Sequence, residues 1–136
     1  MLHIWLSGDP RPAPRPRVSN RRAYYPAWYE AQKAAWALEA QQQVSESGGA
    51  FSNGERLAVL FKIRRATHRT ADCDNLSKAV ADAINGVGWH DDAQIDDWRV
   101  VVRRGVGAAA GVEVWAWELL AARAFVPPDW GEWVGV

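Results

Sequence analysis

The chain has 136 residues, 49% of them hydrophobic, enough for one domain with a single core and too few for two ordinary ones. One cysteine, Cys73, excludes an intramolecular disulfide framework and a Cys-x-x-Cys zinc site, and no apolar run approaches the length of a membrane span. The formal net charge of zero hides a segregation: five arginines stand against one acid in residues 1–23, and thirteen of the sixteen cationic residues are arginine, which grips phosphate bidentately.

Leu2, Ile4 and Leu6 alternate with His3, Trp5 and Ser7, the period of a strand with one buried face, ending at Gly8. This start has neither the basic residues nor the long apolar stretch of a signal peptide, so a cytoplasmic protein is expected. Asp9-Pro-Arg-Pro-Ala-Pro-Arg-Pro-Arg17 follows, whose prolines favour an extended, polyproline-like segment. Residues 9–23 are read as a flexible arm whose Arg11, Arg15, Arg17, Arg21 and Arg22 contact phosphate, with a plain solvated connector as the alternative.

Pro26 to Val44, rich in alanine and glutamine and entered through Tyr25-Pro26, predicts a helix. Ser45–Asn53 is a loop. Leu57, Val59, Phe61 and Ile63 then mark one face of a strand, with Lys62 and Arg64 on the other. Lys62, Arg64, Arg65 and Arg69 form a second basic cluster, and Arg64, Arg65 and Arg69 join the candidates for contact with a phosphate backbone.

Residues 69–98 contain seven aspartates and no glutamate. Leu76, Ala79, Val80, Ala83 and Ile84 recur at helical spacing, with Asn85-Gly86 as the stop signal and Asn75, Lys78 and Asp82 on the solvated side. Asp72 and Asp74 sit at the mouth of this helix, and Lys78 lies one turn beyond Asp74. Either aspartate alone would serve as an N-cap, but two cannot both cap one helix. If the next loop folds back, Asp91-Asp92 joins them. Like charges brought together this way call for a cation, and a few carboxylates plus waters suit magnesium. Asp96 and Asp97 read as turn residues leading into a strand from Trp98 to Arg104, and Val112 to Leu119 reads as the last strand. Residues 121–136 form a tail whose two tryptophans suggest packing on the body or on a partner.

The order β-α-β-α-β-β gives an α/β fold, a small mixed sheet carrying two main helices within a domain spanning residues 1–120. Nine tryptophans offer apolar surface for core and interface together, and the first helix or the sheet edge is the expected dimer contact.

Asp72-Cys-Asp-Asn-Leu-Ser-Lys78, Asp82-Ala-Ile and Gly88-Trp-His-Asp-Asp-Ala-Gln-Ile95 resemble the signature of the RusA family of Holliday junction resolvases, commonly carried by phages and prophages. Gly8-Asp-Pro, Arg-Pro-Arg17 and Tyr24-Tyr-Pro-Ala-Trp-Tyr-Glu30 are similar to that family's N-terminal half. The resemblance implies a homodimeric endonuclease that uses magnesium or manganese to cut four-way DNA junctions by paired nicks. It assigns catalytic acids to Asp72, Asp74 and Asp92, the motif lysine to Lys78, and a supporting metal role to Asp91; the part of Asn75 is structural. On this reading the metal orients and deprotonates a water for attack on a phosphodiester, and Lys78 offsets charge in the transition state. A non-catalytic module for branched DNA and a metal-dependent nucleotide hydrolase are the alternatives.

Overall fold

A computed structural model describes residues 1–119, so the expected tail at 121–136 lies outside the described residues. Strand β1 (Leu2–Ser7) buries Leu2, Ile4 and Leu6 and turns His3, Trp5 and Ser7 away, as alternation requires. After an arm come two three-residue strands, β2 (Arg17–Ser19) and β3 (Arg22–Tyr24), then α1 (Ala27–Glu46), β4 (Leu57–Arg64), α2 (Cys73–Ile84), β5 (Ile95–Arg103) and β6 (Gly111–Glu118). The main sheet has the order β1-β6-β4-β5, with β6 antiparallel to both neighbours and β4 parallel to β5. This is the expected α/β class with a mixed sheet.

Both helices lie on one face of the sheet. The α2 stripe of Leu76, Ala79, Val80, Ala83 and Ile84 is wholly buried against β1, β4 and α1, where it meets Phe61, Trp36 and Ile4. Each such large side chain removed from water contributes about 1.5–3 kcal/mol before the entropy of ordering is charged against it. The helix stops where expected: Gly86 takes φ +81°, and the amides of Gly86 and Gly88 bond the carbonyls of Trp89 and Ile84.

Three sequence expectations need correction. Residues 9–13 are pinned rather than flexible: Asp9 Oδ1 accepts the Ala66 amide at 2.8 Å, Gln32 brackets the Arg11 backbone with two 3.0 Å bonds, and the Ala13 amide reaches the Asn75 carbonyl. Beyond them β2 and β3 form a hairpin closed by Asn20 and Arg21, at φ 50° and 64°, the paired left-handed geometry of a tight hairpin turn. Strand β4 is buried at all eight positions, not on one face, so Lys62 and Arg64 are interior. Strand β5 starts at Ile95, which places Asp96 and Asp97 in the sheet, where they pair with Arg56 and Arg99. Each aspartate thus has an arginine partner and neither serves a turn.

The face of the sheet away from the helices carries a polar and aromatic network. Glu113, 7% exposed, accepts Nε1–H of Trp115 at 2.8 Å, pairs with His3 at 2.7 Å and meets Arg64 at 3.4 Å, while His3 stacks on Trp115. Burial would raise the Glu113 carboxyl, but the bonds from His3 and Trp115 and the charges of His3 and Lys62 outweigh it and hold the group at about 2. The folded state therefore keeps a carboxylate that the unfolded chain protonates near its ordinary value of 4.5. Its contribution is complete above that value and disappears as pH falls toward 2. Glu113→Gln is expected to lose roughly 2–4 kcal/mol at pH 7, because it removes the carboxylate that the His3 and Trp115 bonds and the neighbouring cations stabilise. In urea denaturation the gap between the two proteins should close as the buffer is taken down to pH 2–3.

Candidate active site

The connection β4-α2-β5 joins parallel neighbours, so α2 must run back along the sheet, entering at the C-terminal ends of these strands and leaving at their N-terminal ends. Bonds at both extremities mark this course. Arg104, just past β5, donates to the carbonyl of Ala71 before α2, and Gln94, just before β5, donates to the carbonyl of Glu55 before β4. With a rise of about 1.5 Å per residue, the twelve residues of α2 span about 18 Å. Asp72 and Asp74 stand at one end and Asp91 and Asp92 at the other. The loop after α2 does not fold back to join the two pairs within one chain, contrary to the sequence expectation.

At the entrance, Asp72 occupies the N-cap position with extended dihedrals, yet its side chain makes no capping bond. Asp74 Oδ1 accepts the Asn75 amide at 3.0 Å, and both carboxylates are exposed, as are Cys73 and Lys78. Helix capping thus does not account for Asp72. The turn behind them is fixed: Ser77 Oγ donates to the Asp74 carbonyl and accepts Nε1–H of Trp98, both at 3.0 Å.

At the exit, Asp91 and Asp92 have diverged in role. Asp91 caps the short 3-10 turn Asp92–Gln94 by accepting the Ala93 amide at 2.9 Å, and Gln94 Oε1 accepts the Asp91 amide in return. Asp92 is half-buried, with Oδ1 accepting Nε1–H of Trp89 at 2.7 Å. Burial raises its carboxyl above the ordinary range, the Trp89 bond opposes this, and the charges of Asp82 and Asp91 add to the rise. Asp82 is therefore a neighbour of Asp92, and not the solvated residue expected. It is half-buried and accepts the Tyr29 hydroxyl at 2.5 Å, and burial and this acid together push the Tyr29 phenol upward. Its spacing of eight residues from Asp74 was a visible signal, since both fall on one helix stripe. The partnership with Tyr29 needs α1 packed on α2 and has no sequence mark. Among the described residues, no group of three or more His, Cys, Asp or Glu stands close enough to hold a metal ion.

The arginines divide into two sets. Arg11, Arg15, Arg17, Arg21, Arg22 and Arg69 are exposed, and Arg11 and Arg69 line a cleft of about 430 Å³ that ends at Ala71, one residue before Asp72. Arg64 and Arg65 are 1% and 8% exposed, which corrects their expected place on a phosphate-facing surface. Arg64 belongs to the Glu113 network, and Arg65 spans the carbonyls of Pro10 and Arg69, holding the cleft wall in shape.

Comparison with known proteins adds to this geometry. The sequence profile of a family described as endodeoxyribonuclease RusA matches residues 7–115. Proteins named crossover junction endodeoxyribonuclease RusA from Escherichia coli strain K12, Escherichia coli O1:K1 / APEC and Shigella sonnei strain Ss046 are each 50% identical over 50 residues. That stretch covers 33% of this chain and 42% of each relative, so the match spans less than half the length of these proteins.

Proposed function

The chain belongs to the RusA family of endodeoxyribonucleases, and from that premise we propose that it is a homodimeric, structure-specific endonuclease that resolves four-way DNA junctions by paired, metal-dependent cuts. The observation that carries the reading is the pair of exposed carboxylates at the α2 entrance, Asp72 without a capping bond, beside a cleft flanked by Arg11 and Arg69. An acid pair of which Asp72 makes no capping bond, set beside a basic cleft, suits a metal-bridged polyanion, and this counts against the reading as a non-catalytic module.

Among the described residues, one copy of the chain does not gather these acids around a divalent ion: the donors are hard oxygens of the right kind, but Asp72 and Asp74 are separated from Asp92 by most of the length of α2. A two-fold dimer with its α2 helices antiparallel removes the mismatch, setting Asp72 and Asp74 of each copy against Asp92 of the other. The exposed face of α2 beside the edge strand β5, where Trp98 is 39% exposed, is suited to such pairing. These three acids would hold Mg²⁺ or Mn²⁺, with Asp91 in support through the turn that it caps. When bound, the ion supplies a polarised phosphate oxygen and a water of lowered pKa.

The chain's own residues do the rest. Trp89 fixes the orientation of Asp92, Lys78 offers charge one turn from Asp74 to the phosphate under attack, and the exposed arginines hold the backbone. A two-fold dimer then presents two equivalent sites to two equivalent strands. The cytoplasm suits this role; no helix among the described residues is long and apolar enough to cross a membrane.

A gel assay with four-way junction, duplex, flap and free nucleotide tests the reading. We expect symmetric paired nicks in the junction only, and only with Mg²⁺ or Mn²⁺. Equal cleavage of duplex at moderate salt, or turnover of the nucleotide instead, overturns it.

A further inference from the structure

We propose that the cleft beside the α2 entrance receives one unpaired nucleotide of the strand to be cut, with its base stacked on the guanidinium of Arg11; this rests on the DNA-junction reading above. The Arg11 guanidinium lies 3.7 Å over the Trp28 ring, and Trp28 is itself braced edge-on by Tyr29. Gln32 grips the amide and the carbonyl of Arg11, each at 3.0 Å, so the residue is held at its backbone as well as at its tip. An arginine needed only as a surface charge would not be fixed at both ends. Stacked on Trp28 by one face, it presents the other as a flat cationic platform, with N–H donors around its edge.

The other walls suit the rest of a nucleotide. Arg69, Thr67 and Thr70 bring donors for phosphate and sugar, while the acid on the wall, Asp9, has Oδ1 committed to the Ala66 amide at 2.8 Å. Pro12 and Pro14 stiffen the rim. A cleft of about 430 Å³ falls in the range that takes one small ligand, roughly 300–1,000 Å³, and cannot admit a duplex. Its wall runs to Ala71, so a nucleotide seated there adjoins the phosphate presented to Asp72 and Asp74. A crossover releases such a nucleotide more readily than a continuous duplex does, because its stacking is already interrupted. The cleft would thus favour the branched structure over a continuous duplex.

The test uses the full chain in EDTA, with fluorescence anisotropy reading its affinity for labelled oligo(dT) and for a duplex of equal length. Arg11→Lys keeps the charge and the backbone bonds to Gln32 but loses the planar platform. It is expected to weaken single-strand binding about tenfold and duplex binding less than twofold, in line with the usual worth of one stacked base. Trp28→Leu should do the same, with circular dichroism checking that its fold is retained. Single-strand affinity within twofold of wild type in Arg11→Lys overturns the proposal, as does an equal loss on both DNAs, which marks a backbone contact only. Junction cleavage is scored separately on the same proteins. A chain that cuts junctions but fails this test loses the cleft and keeps the nuclease; one that passes without cutting loses the nuclease and keeps the cleft.

Discussion

Asp74→Asn is expected to abolish magnesium-dependent junction cleavage, by roughly 10³-fold or more, while leaving junction binding intact or slightly tighter. The loss is large because a ligand that stabilises transition-state charge is removed from a site where other groups cannot rearrange to replace it. The fold should tolerate the change. The Asp74 carboxylate is exposed and its Oδ1 accepts the Asn75 amide, a bond that an asparagine Oδ1 can also accept. The remaining structural cost is the lost charge at a helix N-terminus, about 0.3–1 kcal/mol. Binding should hold because the arginines are untouched and one negative charge facing the phosphates has gone. Cleavage rates and gel-shift affinities measured on the same preparation check this, and unchanged cleavage removes Asp74 from the catalytic set.

Mixing two inactive proteins, Asp74→Asn and Asp92→Asn, is expected to restore cleavage. In a dimer whose sites are shared, the mixed pair has one site carrying both substitutions and one site carrying neither. Each homodimer has a lesion in both sites. The mixed pair should therefore nick one strand of a junction at close to half the wild-type rate per dimer, without the paired second cut. If each chain instead builds its site alone, every site in the mixture is damaged and no activity returns. The restored signal should exceed either parent by roughly 10²-fold, since the parents lack a metal ligand in every site. Subunit exchange under mild urea, followed by a supercoiled cruciform substrate that separates nicked from linear product, makes the measurement. No recovery after verified exchange places the ligands in one chain and removes the argument for an antiparallel α2 pairing.

Much of the fold was legible from local pattern. The alternation in residues 2–7 matched the observed burial residue for residue, and the five stripe residues from Leu76 to Ile84 are all buried, with Ser77 and Ala81 buried beside them, because each pattern is set by which side of one element faces the core. Patterning failed where burial came from more than one neighbour. Strand β4 lies inside the sheet between β5 and β6 and is closed on both faces, so Lys62 and Arg64, which alternation turns outward, are interior. Asp96 and Asp97 looked like turn residues by type alone, but Arg56 and Arg99 give them partners within the sheet region. The hairpin at 17–24 was hidden by the prolines before it, although Asn20 is a residue that tolerates the left-handed turn required.

The same division applies to the site. By itself the sequence determined which side chains have chemistry to offer: Asp72, Asp74, Lys78 and Asp92 by motif, and the exposed arginines by charge. Only the tertiary structure decided how they are distributed. Parallel pairing of β4 with β5 commits α2 to the return path, and a helix of twelve residues, about 18 Å long, then keeps its two acid pairs at opposite ends. It also decided which acids have other duties, giving Asp91 to a turn and linking Asp82 to Tyr29 across the helix pair. Spacing in sequence measures distance along the chain, and the distance between two carboxylates is set by what the intervening helix packs against.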